Sequence, residues 1–318
     1  MTFNWSKWPF IFGLLYSGAI ACLGYFLDIH ASLPWQPISI IGIAVAFYLG
    51  FKNNSSYDRT WEARKIYGGI VNNSRTFGAG VVSFVQGNDA ENIQKELIYR
   101  HIAWLTALRY QLRLSRPWEH TSERVKHKFT PTVCEKYMNQ LDESLSRYIN
   151  KEEVESYQNK TNIATQILKT QSERLQELKD QGYYEDFRHI ELYQLIASFY
   201  TDQGKAERIK NFPFPRQYAS TALWLTLMFS LIAPFGLYEV FKNIDGWLFW
   251  VFPILSGLII WIFFLMEKIG DYSENPFEGT YNDVPITSIS IGIEIDLREM
   301  INDTDIPKPL ADENGFLL

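Results

Sequence analysis

The sequence predicts an all-α membrane protein, with four transmembrane helices plus a large helical cytosolic region. Three observations predict it. The 318-residue chain carries two apolar blocks, near residues 8–51 and 218–266, each divided by a short polar break. The stretch between them shows no alternating apolar–polar pattern of useful length and is rich in helix start and stop signals. Aromatic residues reach 16%, a load that suits a large core, a membrane or both. The mean hydropathy of -0.15 averages over these unequal parts.

In the first block, residues 8–27 (WPFIFGLLYSGAIACLGYFL) hold no charge and match the length of a hydrocarbon core. Ala19-Ile20-Ala21 resembles a leader cleavage site, but only Lys7 precedes the run and the apolar stretch continues to Leu27. The run is therefore read as a span, not as a cleaved leader. After a polar break at 28–36, residues 37–51 (PISIIGIAVAFYLGF) are again uncharged, and the helix can continue through Asn53, Asn54 and Ser55. In the second block, residues 219–238 and 247–266 are the third and fourth spans, apolar on all sides. The 28–36 loop has no Lys or Arg, whereas Lys52, Arg59, Arg64 and Lys65 follow the second span. Positive charge stays inside, so both termini and the central region are expected in the cytoplasm of a multi-pass cell-membrane protein. Trp5, Trp8, Trp35, Trp247 and Trp250 fall near span ends, where aromatic belts form. The expected division is 1–51 (spans one and two), 52–217 (cytosolic helical region), 218–266 (spans three and four) and 267–318 (acidic cytosolic segment).

Within 52–217, Thr130-Pro131 and Asn150 read as helix N-termini, Gly182 as a helix end, and Ser115 to Trp118 as a break. Pro213 and Pro215 lead into the third span. The region carries 25 Lys and Arg against 21 Asp and Glu, while residues 267–318 carry 3 against 12. No aromatic-basic stripe marks a nucleic-acid surface, and no nucleic-acid partner is expected.

Chemistry-bearing motifs are absent from the sequence, so no enzyme activity, cofactor or tightly bound metal is expected. Cys22 and Cys134 lie too far apart in kind and position for a thiolate site. His30, His101, His120, His127 and His189 pair with nothing at metal-ligand spacing and read as solvated or structural. Glu152-Glu153 and Glu185-Asp186 are neighbours that point about 100° apart on a helix, so they read as solvated faces. No phosphate-binding, nucleophile-elbow or zinc-protease motif occurs.

The informative feature is the second span. Ile43, Phe47 and Phe51 recur at i, i+4, i+8 on one face, and Gly42, Ala46 and Gly50 form an adjacent small-residue row suited to close helix approach. Two readings stay open on spacing alone. The bulky row faces lipid or packs in a bundle, or it lines a space shared by several subunits. Beyond it, Asp58, Arg59, Glu62, Arg64 and Lys65 are spaced to pair along one helix, near the interfacial anchors Tyr57 and Trp61.

Four segments carry a resemblance. Residues 50–69 (GFKNNSSYDRTWEARKIYGG), 206–219 (AERIKNFPFPRQYA), 232–237 (IAPFGL) and 274–297, containing ENPFEGTYNDVPI and IGIEIDL, together resemble prokaryotic bestrophin-like proteins, in the expected order. The resemblance implies a homopentameric ion channel that passes chloride or other small monovalent ions through a hydrophobic neck, with monovalent cations as the other charge class. Its partners are then further copies of itself, the lipid bilayer and the permeant ions. The family's neck positions fall on Ile43, Phe47 and Phe51. A second, cytosolic constriction falls near Phe187 or Ile190. Eukaryotic members hold calcium after an asparagine-proline-phenylalanine motif, here Asn275-Pro276-Phe277, but the two clasp positions read Thr280 and Asp283 and one acidic ligand is missing. Glu274, Asn275 and Asp283 are left as a candidate weak cation-binding loop, against a reading in which the loop caps helices and contacts a neighbouring subunit. The contrasting function is a membrane scaffold or sensor whose helical region binds a cytosolic partner.

Overall fold

A computed structural model of the chain describes residues 2–119, 138–244, 246–280, 283–312 and 317. Thr130-Pro131, His120, His127, Cys134, Tyr281 and Asn282 lie outside the described residues. Among the described residues the regular elements are all helical. In order they are α1 (Thr2–Leu27), α2 (Trp35–Phe84), α3 (Ala90–Arg113), α4 (Leu141–Leu145), α5 (Lys151–Tyr157), α6 (Ile163–Asp180), α7 (Asp186–Asn211), α8 (Arg216–Phe241), α9 (Val251–Tyr272) and α10 (Ile286–Met300), with 3₁₀ turns at Met138–Gln140 and Gly246–Trp250. The chain forms two compact units, one of residues 1–58 and 214–274, the other of residues 59–213 and 275–318.

The first unit contains all four expected spans as helices long and apolar enough to cross a membrane. Small residues bring α1 onto α9. A Cβ added at Gly13 would sit 3.0 Å from Gly257 Cα, and Ser17 Oγ donates to Ser256 Oγ at 2.6 Å. Between apolar helices in lipid, such close approach and interhelical hydrogen bonding supply the attraction. Helix α2 packs through Ile38, Val45 and Leu49 against Ala222, Phe229 and Ala233 of α8. Only Gly42 of the expected small row makes a close approach, with an added Cβ 2.8 Å from Phe229, whereas Gly50 has open space. The packed face is instead the row Ile38, Gly42, Val45, Leu49, Lys52 and Ser56. Its last turns bury Lys52, whose Nζ reaches Glu267 Oε1 of α9 at 2.9 Å.

The helix of the second span continues well past residue 51. Helix α2 runs from Trp35 to Phe84 without a break, so the boundary expected at 51/52 falls inside a helix. No proline interrupts residues 38–84, and one Gly costs only about 1 kcal/mol in a helix interior.

In the second unit the caps follow the sequence signals. Asn150 Oδ1 accepts from Glu153 N at 2.7 Å, and Asn162 does the same for Thr165 at 2.9 Å. Gly182 ends α6 with φ +84°, a conformation that glycine adopts without a Cβ clash. Glu153 departs from the expected solvated face. It takes Arg100 in a fork of two 2.9 Å bonds, because α5 turns it toward α3. At the centre, Trp104 and Phe199 meet with ring centroids 4.9 Å apart, and His101 lies 4.5 Å from Phe199.

His101 is fully buried and bonds to Ser74 Oγ at 2.9 Å. Burial pushes its imidazole down to about 3, from an ordinary 6.5. Between those values the unfolded chain binds a proton that the folded one refuses, so stability rises with pH across that window and is lost as pH falls. The melting temperature of detergent-solubilised protein is expected to drop from pH 7 to pH 4.5, and to drop less in His101→Gln. Equal pH slopes in the two proteins would remove His101 as the cause.

Candidate functional site

In the first unit, Lys52 and Phe51 are neighbours with opposite fates. Lys52 is 2% exposed and Phe51 57%. Successive helical residues point about 100° apart, so the buried Lys52–Glu267 pair turns the Ile43–Phe47–Phe51 row away from α8 and α9. Ile43 is 71% exposed and Phe47 69%. The Phe47 and Phe51 rings meet edge to face, with centroids 4.7 Å apart and planes at 84°. The structure therefore brings the three neck candidates into one apolar strip that the described residues of the spanning unit leave largely exposed.

In the second unit, Phe187 and Ile190 lie at the start of α7, three residues apart on one face, at 82% and 50% exposure. Arg188 between them turns back, donating to Phe84 O at 3.4 Å with its guanidinium 5.6 Å from the Phe84 ring.

Residues 59–62 and 208–212, from two of the segments that carry the resemblance, meet within the second unit in a way that helix spacing did not reveal. Arg59 reaches beyond its own helix. Its Nη2 donates to the carbonyls of Ile209 and Phe212, each at 3.0 Å, which caps the last turn of α7. Glu62 likewise reaches across to Arg208 at 2.6 Å. No local spacing rule signals such contacts between distant segments.

The loop after α9 is ordered by its own hydrogen bonds. Glu274 ends the first unit and is buried. In the second unit, Asn275 Nδ2 donates to Glu278 Oε1 at 2.7 Å. Asp283 Oδ2 accepts from the Gly279 amide, from the Thr280 amide at 3.1 Å and from Arg113 Nη1 at 3.2 Å. Asp283 Oδ1 accepts from Thr280 Oγ1 at 2.7 Å. Arg113 also reaches Val284 O at 3.4 Å. Close by, Lys210 Nζ donates to Glu119 Oε1, and both side chains are buried. Burial pushes the Lys210 ammonium below its usual range, opposed by the charges of Glu119, Glu278 and Asp283. Among the described residues no three His, Cys, Asp or Glu side chains gather as a metal site.

Four helices long and apolar enough to cross a membrane, joined in one chain to a helical region, define an all-α membrane protein. Comparison narrows the class. The family described as Bacterial/Fungal Bestrophin protein matches residues 7–299, and the chain belongs to that family. It is similar to a voltage-dependent anion channel-forming protein of Ralstonia nicotianae, at 27% identity over 94% of this chain and 88% of the other. It is also similar to the protein named voltage-dependent anion channel-forming protein YneE in Escherichia coli K12, at 26% identity over 94% and 87%. Among solved structures, a bacterial bestrophin homologue of Klebsiella pneumoniae shares the fold with a TM-score of 0.77, at 21% identity over 94% of this chain and 99% of that one.

Asp283→Ala removes the acceptor of Arg113 and leaves a buried guanidinium without its partner, a change that costs about 3–5 kcal/mol. The variant is expected to melt well below the wild type, with Asp283→Asn in between because it keeps an acceptor oxygen. Differential scanning fluorimetry in detergent checks the order.

Proposed function

We propose that this chain is the subunit of a homopentameric, bestrophin-type anion channel in a bacterial inner membrane, with both termini in the cytoplasm. The observation that carries the reading is the match along 94% of the chain with a relative named for forming an anion channel. The geometry of α2 supports it. Five copies of the Ile43–Phe47–Phe51 strip turned toward a common axis make a hydrophobic neck. Such a neck offers an ion no ligands in exchange for its water, so it conducts by staying wide or by wetting, and closes by dewetting.

The aromatic ring edge carries partial positive charge and the face partial negative charge. Rings that present edges to the axis favour an anion at the narrowest point. Phe187 and Ile190 of each subunit form the second, cytosolic constriction in this reading.

Replacing Ile43, Phe47 and Phe51 together by Ala widens the neck and makes it easier to wet. Single-channel current in planar bilayers is expected to rise, and an unchanged current would remove the strip from the ion path. Reversal potentials across asymmetric potassium chloride are expected at the chloride side. A reversal at the potassium potential would refute anion selectivity.

Orientation has its own test. A tag after residue 318 is expected to react with an impermeant label only in inverted vesicles, and labelling of intact cells would overturn the cytoplasmic assignment.

A further inference from the structure

The family resemblance raises calcium at the asparagine-proline-phenylalanine loop, and the donor set does not fit it. A calcium ion takes six to eight oxygens, with several carboxylates in a tight site. The one side-chain acid left at the clasp positions, Asp283, has both oxygens engaged by the Gly279 and Thr280 amides, the Thr280 hydroxyl and a guanidinium. A cation brought to Asp283 would meet Arg113 3.2 Å from the same oxygen. The nearby carboxylate of Glu278 is fully buried and already accepts from Asn275.

We propose that two cations of the chain itself act here in place of a metal ion, Arg113 bonded to Asp283 of the loop and Lys210 bonded to Glu119. The ammonium comes from the last turn of α7, bonded to Glu119 and within the electrostatic reach of Glu278 and Asp283. Two buried carboxylates, Glu119 and Asp283, are thus each bonded to a buried cation that belongs to the chain itself, Lys210 and Arg113. Burying such acids uncompensated is costly, and a charge held on the backbone compensates them at all times, whereas a dissociable ion does so only when bound. Lys210 is anchored because Arg59 and Glu62 hold the same helix end at Ile209, Phe212 and Arg208. Among the described residues of the loop, the acid at Asp283 is therefore compensated constitutively, and calcium has no seat on it.

Melting temperature of the purified full chain decides this independently of whether the chain conducts. A ligand that binds only the folded state raises that temperature. Wild type is expected to melt at the same temperature in a calcium chelator and in millimolar calcium chloride, with magnesium chloride as the control. Lys210→Met, which keeps the apolar stem and removes the charge, is expected to melt several degrees lower. Adding Glu278→Gln to Lys210→Met removes one uncompensated acid and is expected to recover part of the loss. A calcium-specific rise in the wild type overturns the proposal, as does a Lys210→Met protein that melts like the wild type. Additive losses in the double variant overturn it too, because they mark a packing role without charge compensation. Where Lys210→Met does not accumulate, the wild-type calcium titration decides alone.

Discussion

The rotation of α2 about its own axis is the quantity on which the spanning unit depends, and the Lys52–Glu267 ion pair fixes it. A lysine at the end of an apolar helix is costly wherever it meets neither water nor an acid. Here the partner is 2.9 Å away on α9 and both side chains are largely buried. Turning α2 by one residue would expose Lys52 to the unit's apolar surroundings and carry Phe51 inward. The apolar contacts of Ile38, Val45 and Leu49 with α8 hold the same rotation, but dispersion and apolar packing tolerate sliding in a way that a paired charge does not.

Spans, caps and the exposed strip were legible in the sequence because each is a local pattern. Twenty uncharged apolar residues, an asparagine ahead of a run of acids and a repeat of four can be read without knowing what lies elsewhere in space. The row emerges from the positions of Ile43, Phe47 and Phe51 alone, and in the structure all three are exposed. The packed face was harder to read. The small row Gly42, Ala46 and Gly50 suggested the contact, but large residues at Val45 and Leu49 carry most of it. Size is a weak guide where a neighbouring helix supplies a matching hollow.

Partners distant in sequence were not legible. Arg59 and Glu62 have acids and bases at helical spacing on their own helix, so the pattern suggests local pairs. The structure places both at the end of α7, where the Arg59 guanidinium caps bare carbonyls in charge-assisted bonds and Glu62 pairs with Arg208 of the same turn. Glu153 was misjudged for a similar reason: its exposure depends on where α3 runs, which no window around residue 153 contains. The acidic loop follows the same logic. Its sequence shows which ligand is missing, but only the fold shows a lysine and an arginine arriving from α7 and α3.

The two halves of the Lys52–Glu267 pair stand 215 residues apart in the chain. A ribosome adding about 5–20 residues per second needs roughly 10–40 s to travel that distance. The second helix therefore enters the membrane with its lysine still seeking a counter-charge, and the acid that completes it is made only as the fourth helix ends. Until then headgroup phosphates or water must hold the ammonium near the bilayer surface. The rotation of α2 is in this sense a late decision of biogenesis, taken when the fourth helix is complete.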